Sequence, residues 1–538
     1  MRTVFRSVSL SMLILYFAIF SQSCSRLKDG THSVIIISTN DVHGKYFDSL
    51  YVGGEANPSS YANVSTFINN IRSIGVSPVL VDVGDNLQGD VAAYYFDYID
   101  TADVHVLPRI MNYIGYDAVV VGNHDIETGH NVYDKVRSEL GMPYLAANAI
   151  RTDGSGNPYF DDYTIVRRNG IKIAIIGFTN PRIPDWISPV LYSGMEFDSI
   201  PPLAQHLVDS VINKEHPQIV VVAVHSGTGD GSPDDFENVG LRCAKMLHGV
   251  DVVLCSHDHI AYSTIVAGID SNKVLLLNAG KHARFVGLGN IELVVKKGKV
   301  VSKRISGHTV PMDTVAVDTS YVRTFRSDYE KVKQFTDKDI GMLDNGIDCS
   351  DALYGPSSYV HLLQSVVMEQ TEAQISICAP LTLTATFEKG PITVQDLFTL
   401  YPYENQLYVL KMKGSQVKGM LEMSYDLWAR GEGFKFNYDS AEGIVYEVSK
   451  SAPDGKKVRI KSMEDGVSFS EDSTYLVALT SYRASGGDFI RKGAGIGQSE
   501  LNSLIVSRYP EIRDMLYEYI IRHHEIDPKP GNNWKFVK

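Results

Sequence analysis

The chain reads as an α/β protein. Short apolar, β-branched runs recur from residue 34 onward, and segments with helical spacing lie between several of them. Nearly every apolar run ends in a cluster of polar residues, which is where open α/β sheets build their sites.

The runs, in order, are VIIIS leading into TNDVHG, PVLVDV into GDNLQG, YDAVVV into GNHD, IKIAIIG into FTNP, QIVVVAV into HSGTGDG, VDVVLC into SHDH, and KVLLLN into AGKH. Their near-continuous apolar character predicts strands covered on both faces. The stretch YANVSTFINNIRSI (61–74) predicts a helix between the first two. IELVVKKGKVVSKRIS (291–306) predicts a hairpin turning at Gly298 that closes a first domain. In YVRTFRSDYEKVKQF (321–335), Val322, Phe325, Tyr329 and Val332 fall three or four apart, which predicts one amphipathic connecting helix. A second domain with its own mixed pattern begins near Gly341 and carries a hairpin around PDG (453–455). The expected boundaries are 25–312, 313–340 for the connector, and 341–538.

Composition narrows the function. The chain has 538 residues, 44% hydrophobic and 21% charged, with a formal net charge of -13. That balance argues against a nucleic-acid polymer as partner, because such a groove needs a basic field. A small anionic substrate stays open, since a bound metal reverses the sign locally. At the N-terminus, Arg2 and Arg6 precede the apolar run VSLSMLILYFAIF (8–20), and Cys24 follows in SQSCS. This pattern predicts a signal peptide over 1–23 and an exported protein of the periplasm or cell surface. Cys24 is a candidate lipidation site and would be the only membrane contact; the alternative is a plain secretory signal with an incidental cysteine. A monomer is expected. Cys243, Cys255, Cys349 and Cys378 form no CxxC pair and no disulfide framework, and Cys255 is expected to be a buried, inert thiol.

The polar tips carry the chemistry. Asp41 and His43 come from NDVHG, Asp85 from GDN, Asn123 and His124 from GNHD, His225 from VHSG, and His257 and His259 from SHDH. A lone loop histidine or a Gly-Asp turn means little. Five such tips in succession fit two divalent cations, roughly 3.5–4 Å apart, clamping an in-line displacement at phosphorus. One carboxylate should bridge them. Imidazoles and an amide oxygen would complete the shells without neutralising the cations, and a bridging water would be the nucleophile. In VVVGNHDIETG, Gly122 is expected to permit the sharp exit from the strand and Asp125 to be structural.

The set DxH…GD…GNH…H…[GS]HxH resembles the calcineurin-like metallophosphoesterases. With the second domain, it resembles the bacterial 5′-nucleotidase / 2′,3′-cyclic-nucleotide 2′-phosphodiesterase family. The resemblance implies a layered α/β/β/α metallophosphoesterase domain followed by a smaller mixed α/β nucleotide-recognition domain. It implies that Asp41, His43, Asp85 and His259 hold one metal, and Asp85, Asn123, His225 and His257 the other, with manganese, zinc, cobalt, iron and calcium all open. It implies that His124 is catalytic, with Glu127 as its acidic partner where many relatives carry Asp.

In the second domain, PYENQ places Tyr403 and Asn405, AEGIVYEV places Gly443, and SYRASGGDF places Tyr482, Gly486, Gly487 and Asp488. Taken bare, such residues are mostly core and turn; two tyrosines in glycine-flanked loops could also sandwich a flat base. The resemblance implies the second role: Tyr403 and Tyr482 clamp the base, Asn405 contacts it, and Asp488 binds the ribose. Before the GPIT strand, Thr384 stands where typical 5′-nucleotidases have an arginine, and Ala379-Pro380 resembles the cyclic-phosphodiesterase / 3′-nucleotidase branch. The expectation is therefore hydrolysis of 2′,3′-cyclic nucleotides and 3′-nucleotides to nucleoside and phosphate; the alternative is a 5′-nucleotidase or nucleotide-sugar hydrolase. His105, His130, His282, His523 and His524 have no motif context and are expected to be structural, with His282 the likeliest exception.

Overall fold

The structure is a computed structural model that describes residues 27–51, 56–403, 405–431, 438–484 and 489–538. The expected leader, Cys24, Gly486, Gly487 and Asp488 lie outside the described residues.

The apolar runs form the strands of two six-stranded sheets that face each other. In the first, the order is Lys299–Pro311, Phe285–Lys296, Gly30–Thr39, Val79–Asp82, Ala118–Val120, Tyr144–Leu145. Its last four strands run parallel. In the second, the order is Ala261–Ala267, Lys273–Ala279, Val252–Cys255, Ile219–Val224, Ile171–Phe178, Tyr163–Arg168. Its central four are parallel and its edges antiparallel. Val34, Ile36, Val81 and Val120 of one sheet share a buried core with Ile173, Val221, Leu254 and Leu275 of the other. Helices Tyr61–Ser73, Val106–Ile114 and His130–Glu139 cover the first sheet, and Ile200–Glu215 and Gly240–Met246 the second. These are the expected α/β/β/α layers. The hairpin turns at Lys297 and Gly298, both left-handed with φ 54° and 73°. All four described cysteines are free and buried, and burial pushes the Cys255 thiol up.

The connector differs from the single helix predicted. Two helices, Thr319–Thr324 and Arg326–Thr336, are separated by Phe325 at φ -101°, ψ 12°. The break seats Phe325 against Tyr321, with ring centroids 4.6 Å apart, while Arg109 reaches Asp328 with both guanidinium nitrogens at 2.7 and 3.0 Å. Tyr321 takes the core position and Val322 is only half-buried.

The second domain is smaller and mixed. A five-stranded sheet runs in the order Ser440–Glu442, Ile375–Cys378, Thr474–Thr480, Gln406–Lys413, Ile505–Glu511. Helices Ser358–Gln370, Gly414–Arg430 and Ile512–His523 pack around it. The strands Ile444–Ser449 and Val458–Met463 pair antiparallel across the PDG segment. Tyr94 Oη donates to Asp514 Oδ1 at 2.9 Å, tying this domain to the first.

Asp82 closes the strand that leads to Asp85. Its carboxylate accepts from Thr39 Oγ1 (2.6 Å), Tyr61 Oη (3.0 Å), Gly84 N (3.0 Å) and Asn86 Nδ2 (2.6 Å). Burial still pushes its carboxyl up to about 6. Asp82→Asn would aim an amide N–H at one of these donors, a loss of about 1–3 kcal/mol. Differential scanning calorimetry should find a melting temperature lower by a few degrees; an unchanged value would refute this accounting.

Candidate metal centre

The tips converge because their backbones are forced to turn there. Asp41, His43, Asp85, His257 and His259 all sit at positive φ, between 48° and 70°. Non-glycine residues rarely adopt this region, and such outliers persist where the surroundings over-determine them. Here hydrogen bonds do so. Asp41 N donates to Gly84 O (2.9 Å), His43 N to Asp85 O (3.0 Å), and His257 N to the Asp41 carboxylate (3.0 Å). Asp125, expected to be structural, accepts backbone N–H groups from Gly122 (2.8 Å), Asp85 (3.1 Å), Asn86 (2.9 Å) and Leu87 (3.0 Å).

Gly122 corrects an expectation. Its φ is -91° and ψ 171°, ordinary extended backbone, so no sharp exit explains it. A Cβ there would lie 2.0 Å from Asp85 Oδ1. Close approach of Asp85, not turn geometry, demands glycine.

Two groups of donors result. One ligand atom each from Asp41, His43 and His259 lie within 4.8 Å of one another, and so do those of Asp85, His225 and His257. In the first, His43 Nε2 is 3.0 Å from His259 Nε2, which is 3.7 Å from Asp41 Oδ1. In the second, His225 Nε2 is 3.1 Å from both Asp85 Oδ2 and Asn123 Oδ1. Asp85 Oδ1 accepts the His124 backbone N–H at 2.9 Å.

The imidazoles are fixed from behind. His43 Nδ1 donates to Gln88 O at 2.9 Å, and His225 Nδ1 to Val83 O at 2.7 Å, which leaves each Nε2 a lone pair for the site. His257 gives Nε2 to Glu237 Oε1 at 3.1 Å, which leaves Nδ1.

This donor set fits divalent cations. Two imidazole nitrogens 3.0 Å apart, His43 with its outer Nδ1 already engaged, present converging lone pairs, as do the acceptors around His225. Ligands about 2.0–2.2 Å from a shared ion lie at such separations. The charge balance agrees. Burial, with Asp85 alongside, pushes the Asp41 carboxyl up to about 8. Burial also opposes ionisation of Asp85, yet the His225 and His124 charges hold it well below the usual carboxylate range. Burial disfavours a charged His225, but Asp85 prevails and raises it to about 10. In this field one carboxyl is pushed toward its protonated form and one histidine toward its charged form, an imbalance that divalent cations would relieve.

His124 stands apart from these groups. Its Nδ1 lies 2.8 Å from Glu127 Oε2, its side chain is 34% exposed, and its ring centroid is 5.6 Å from that of His43. The structure thus brings all seven expected ligands, His124 and Glu127 to one place. It also brings in residues without a motif signal. Glu237 holds His257, and Trp186 stacks on it at 5.3 Å and 17°. His282 donates its backbone N–H to Asp41 O at 2.8 Å and places its ring 5.8 Å from that of His43, so the strand-tip position did carry a signal. His105 instead caps a helix through Leu107 N, His130 meets Asp134, His523 meets Glu369, and His524 ends a helix.

In the second domain, Tyr403 and Tyr482 are 49% and 60% exposed. Burial raises the Tyr403 phenol, and Tyr482 adds to the effect. Asn405 donates to Tyr401 Oη at 3.4 Å. Gly443 has φ 89°, and a Cβ there would strike Gln374 O at 2.1 Å, a packing reason for glycine separate from any substrate contact.

The sandwich and its donor set are those of a metallophosphoesterase, a phosphoester hydrolase that uses divalent metal ions. The family model for the calcineurin-like phosphoesterase matches residues 35–261, and that for the 5′-nucleotidase C-terminal domain residues 335–492. The chain belongs to the family that joins these two domains. The trifunctional nucleotide phosphoesterase YfkN of Bacillus subtilis is 23% identical over 93% of this chain, which spans 39% of that protein's length. A 2′,3′-cyclic-nucleotide 2′-phosphodiesterase/3′-nucleotidase of Yersinia enterocolitica is 23% identical over 99% of this chain and 92% of its own. The crystal structure of a 5′-nucleotidase precursor from Thermus thermophilus matches with a TM-score of 0.65 and 20% identity, over 94% of this chain and 100% of that one.

Gly122→Ala should therefore retain the fold but lose bound metal and at least 100-fold in phosphoester hydrolysis, since second-sphere disturbance alone costs about 10–100-fold. Elemental analysis beside the rate checks this; full metal content at the wild-type rate would refute the close-approach reading.

Proposed function

We propose that the protein hydrolyses nucleotide phosphoesters with two divalent cations bound, favours 2′,3′-cyclic nucleotides and 3′-nucleotides, and releases nucleoside and phosphate. The observation that carries this reading is the pair of donor groups meeting beside His124, with two exposed tyrosines on the neighbouring domain. Asp41, His43, Asp85 and His259 would hold one cation, and Asp85, Asn123, His225 and His257 the other, with Asp85 shared. When bound, such cations supply Lewis acidity at the phosphoryl oxygens and make water acidic near neutral pH.

The protein's own groups do the rest. Glu127, an acceptor when ionised, takes the Nδ1–H of His124 and leaves Nε2 to protonate the leaving oxygen. Tyr403 and Tyr482 would stack on the base, Asn405 contact it, and Asp488 bind the ribose, with Gly443 in an adjoining loop. Thr384 in place of an arginine, and Ala379-Pro380, favour the cyclic and 3′ substrates. We read the N-terminal pattern as an export signal with Cys24 as lipid anchor, and the protein as a monomer. Among the described residues no helix is long and apolar enough to cross a membrane.

Phosphate release from 2′,3′-cyclic AMP, 3′-AMP, 5′-AMP and a UDP-sugar tests the preference: the first two should dominate, and dominant release from 5′-AMP would overturn it. Tyr403→Ala and Tyr482→Ala should each raise KM for 3′-AMP about tenfold, within the 1–3 kcal/mol of a base stack. KM for p-nitrophenyl phosphate should stay within twofold; equal effects on both would refute the clamp.

A further inference from the structure

One residue touches both halves of the phosphate site. Glu127 Oε2 lies 2.8 Å from His124 Nδ1 and also accepts from Gln88 Nε2 at 3.0 Å. The backbone carbonyl of the same Gln88 accepts from His43 Nδ1 at 2.9 Å. A carboxylate only accepts, so Gln88 must present its nitrogen to Glu127.

Gln88 is well anchored. It is 5% exposed. Its neighbour Gly89 has φ 123°, and a Cβ there would come 2.8 Å from His43 Cβ, so the chain runs hard against the His43 side chain. Asp90 N donates to His43 O at 3.0 Å just beyond. Glu127 ends the short helix Asn123–Glu127 and places its carboxylate through three torsions. Holding so flexible a side chain in one rotamer has an entropic cost, which a second hydrogen bond on the same oxygen offsets.

We propose that Gln88 is a positioning residue: it fixes the Glu127 carboxylate, and through it the His124 ring, in the orientation that delivers Nε2–H to the leaving group. The proposal rests on the reading of His124 given above. As water adds to phosphorus and gives up a proton to the solvent, the P–O bond to the nucleoside breaks and the His124 Nε2 proton passes to that oxygen, while Glu127 goes on accepting the Nδ1–H.

Gln88→Leu keeps size and removes the donor. With the metal-loaded enzyme, kcat for 3′-AMP should fall about tenfold, with KM within twofold and metal content and melting temperature unchanged. For p-nitrophenyl phosphate, whose leaving group needs no proton, kcat should fall less than twofold. In a His124→Ala background, adding Gln88→Leu should cost less than a further twofold. A crystal structure of the Gln88→Leu protein should show Glu127 displaced from His124. Equal losses on both substrates, an additive loss in the His124→Ala background, or an undisplaced Glu127 would overturn the proposal. An unchanged 3′-AMP rate in His124→Ala alone would instead sink the reading of His124. Should Gln88→Leu not fold, Gln88→Asn, whose amide falls one methylene short of Glu127, carries the same expectations.

Discussion

The Asp125 carboxylate is the tie on which the phosphate site depends. It binds four backbone N–H groups, one from its own loop and three from the loop after Val79–Asp82. Those three belong to Asp85, Asn86 and Leu87, so the loop is held residue by residue. With the two loops drawn together, the His124 N–H reaches Asp85 Oδ1 and Gly122 has no room for a side chain. The Asp85 carbonyl then receives His43 N, which carries the constraint to the first strand tip. One buried, fully hydrogen-bonded acid, itself no ligand, sets where the ligands stand.

The same packing creates an electrostatic debt. Asp41 and Asp85 are buried together, and burial opposes ionisation of both. Protons alone settle it awkwardly, since burial raises the Asp41 carboxyl while Asp85 raises the His225 imidazole. Five ligand-bearing residues also sit in the left-handed region. A site assembled this way is costly to the folded state unless a ligand binds it, and whatever binds only the native form returns that stability by mass action. Divalent cations, which repay both carboxylates at once, suit it better than any single organic ligand.

Much of this was legible in the sequence, for a physical reason. A strand covered on both faces admits only apolar residues, so the first polar residue marks its end, and in an open α/β sheet those ends are gathered. The polar tips that gather in the site follow from that rule; which seven of them would hold metal, and the layer order, follow from the family resemblance. The rest depends on contacts that no local pattern encodes. Gln88 meets Glu127 across 39 residues, and Glu237 meets His257 across 20 from a loop with no motif. Phe325 breaks a helix that periodicity alone continues, because tertiary packing of its ring outweighs one turn of propensity. Gly122 was legible as necessary but not for the right reason, since close approach and positive φ leave the same letter in the sequence.

The division between domains explains why the metal centre cannot by itself name the substrate. On the proposed reading, the two donor groups of the first domain serve a phosphoryl group and its cations, which 2′, 3′ and 5′ esters share. The distinction has to come from where the second domain holds the nucleoside. The strand Gln406–Lys413 follows the Tyr403 loop and pairs with Thr474–Thr480, which leads to Tyr482. A shift of that sheet relative to His124 would therefore change which ester oxygen meets Nε2 without altering a single ligand. Tyr94 bonded to Asp514, and Arg326–Thr336 tied to the first domain through Asp328 and Lys331, are among the contacts that join the two domains. On this account, the choice among esters is written in the domain interface as much as in the base-stacking tyrosines.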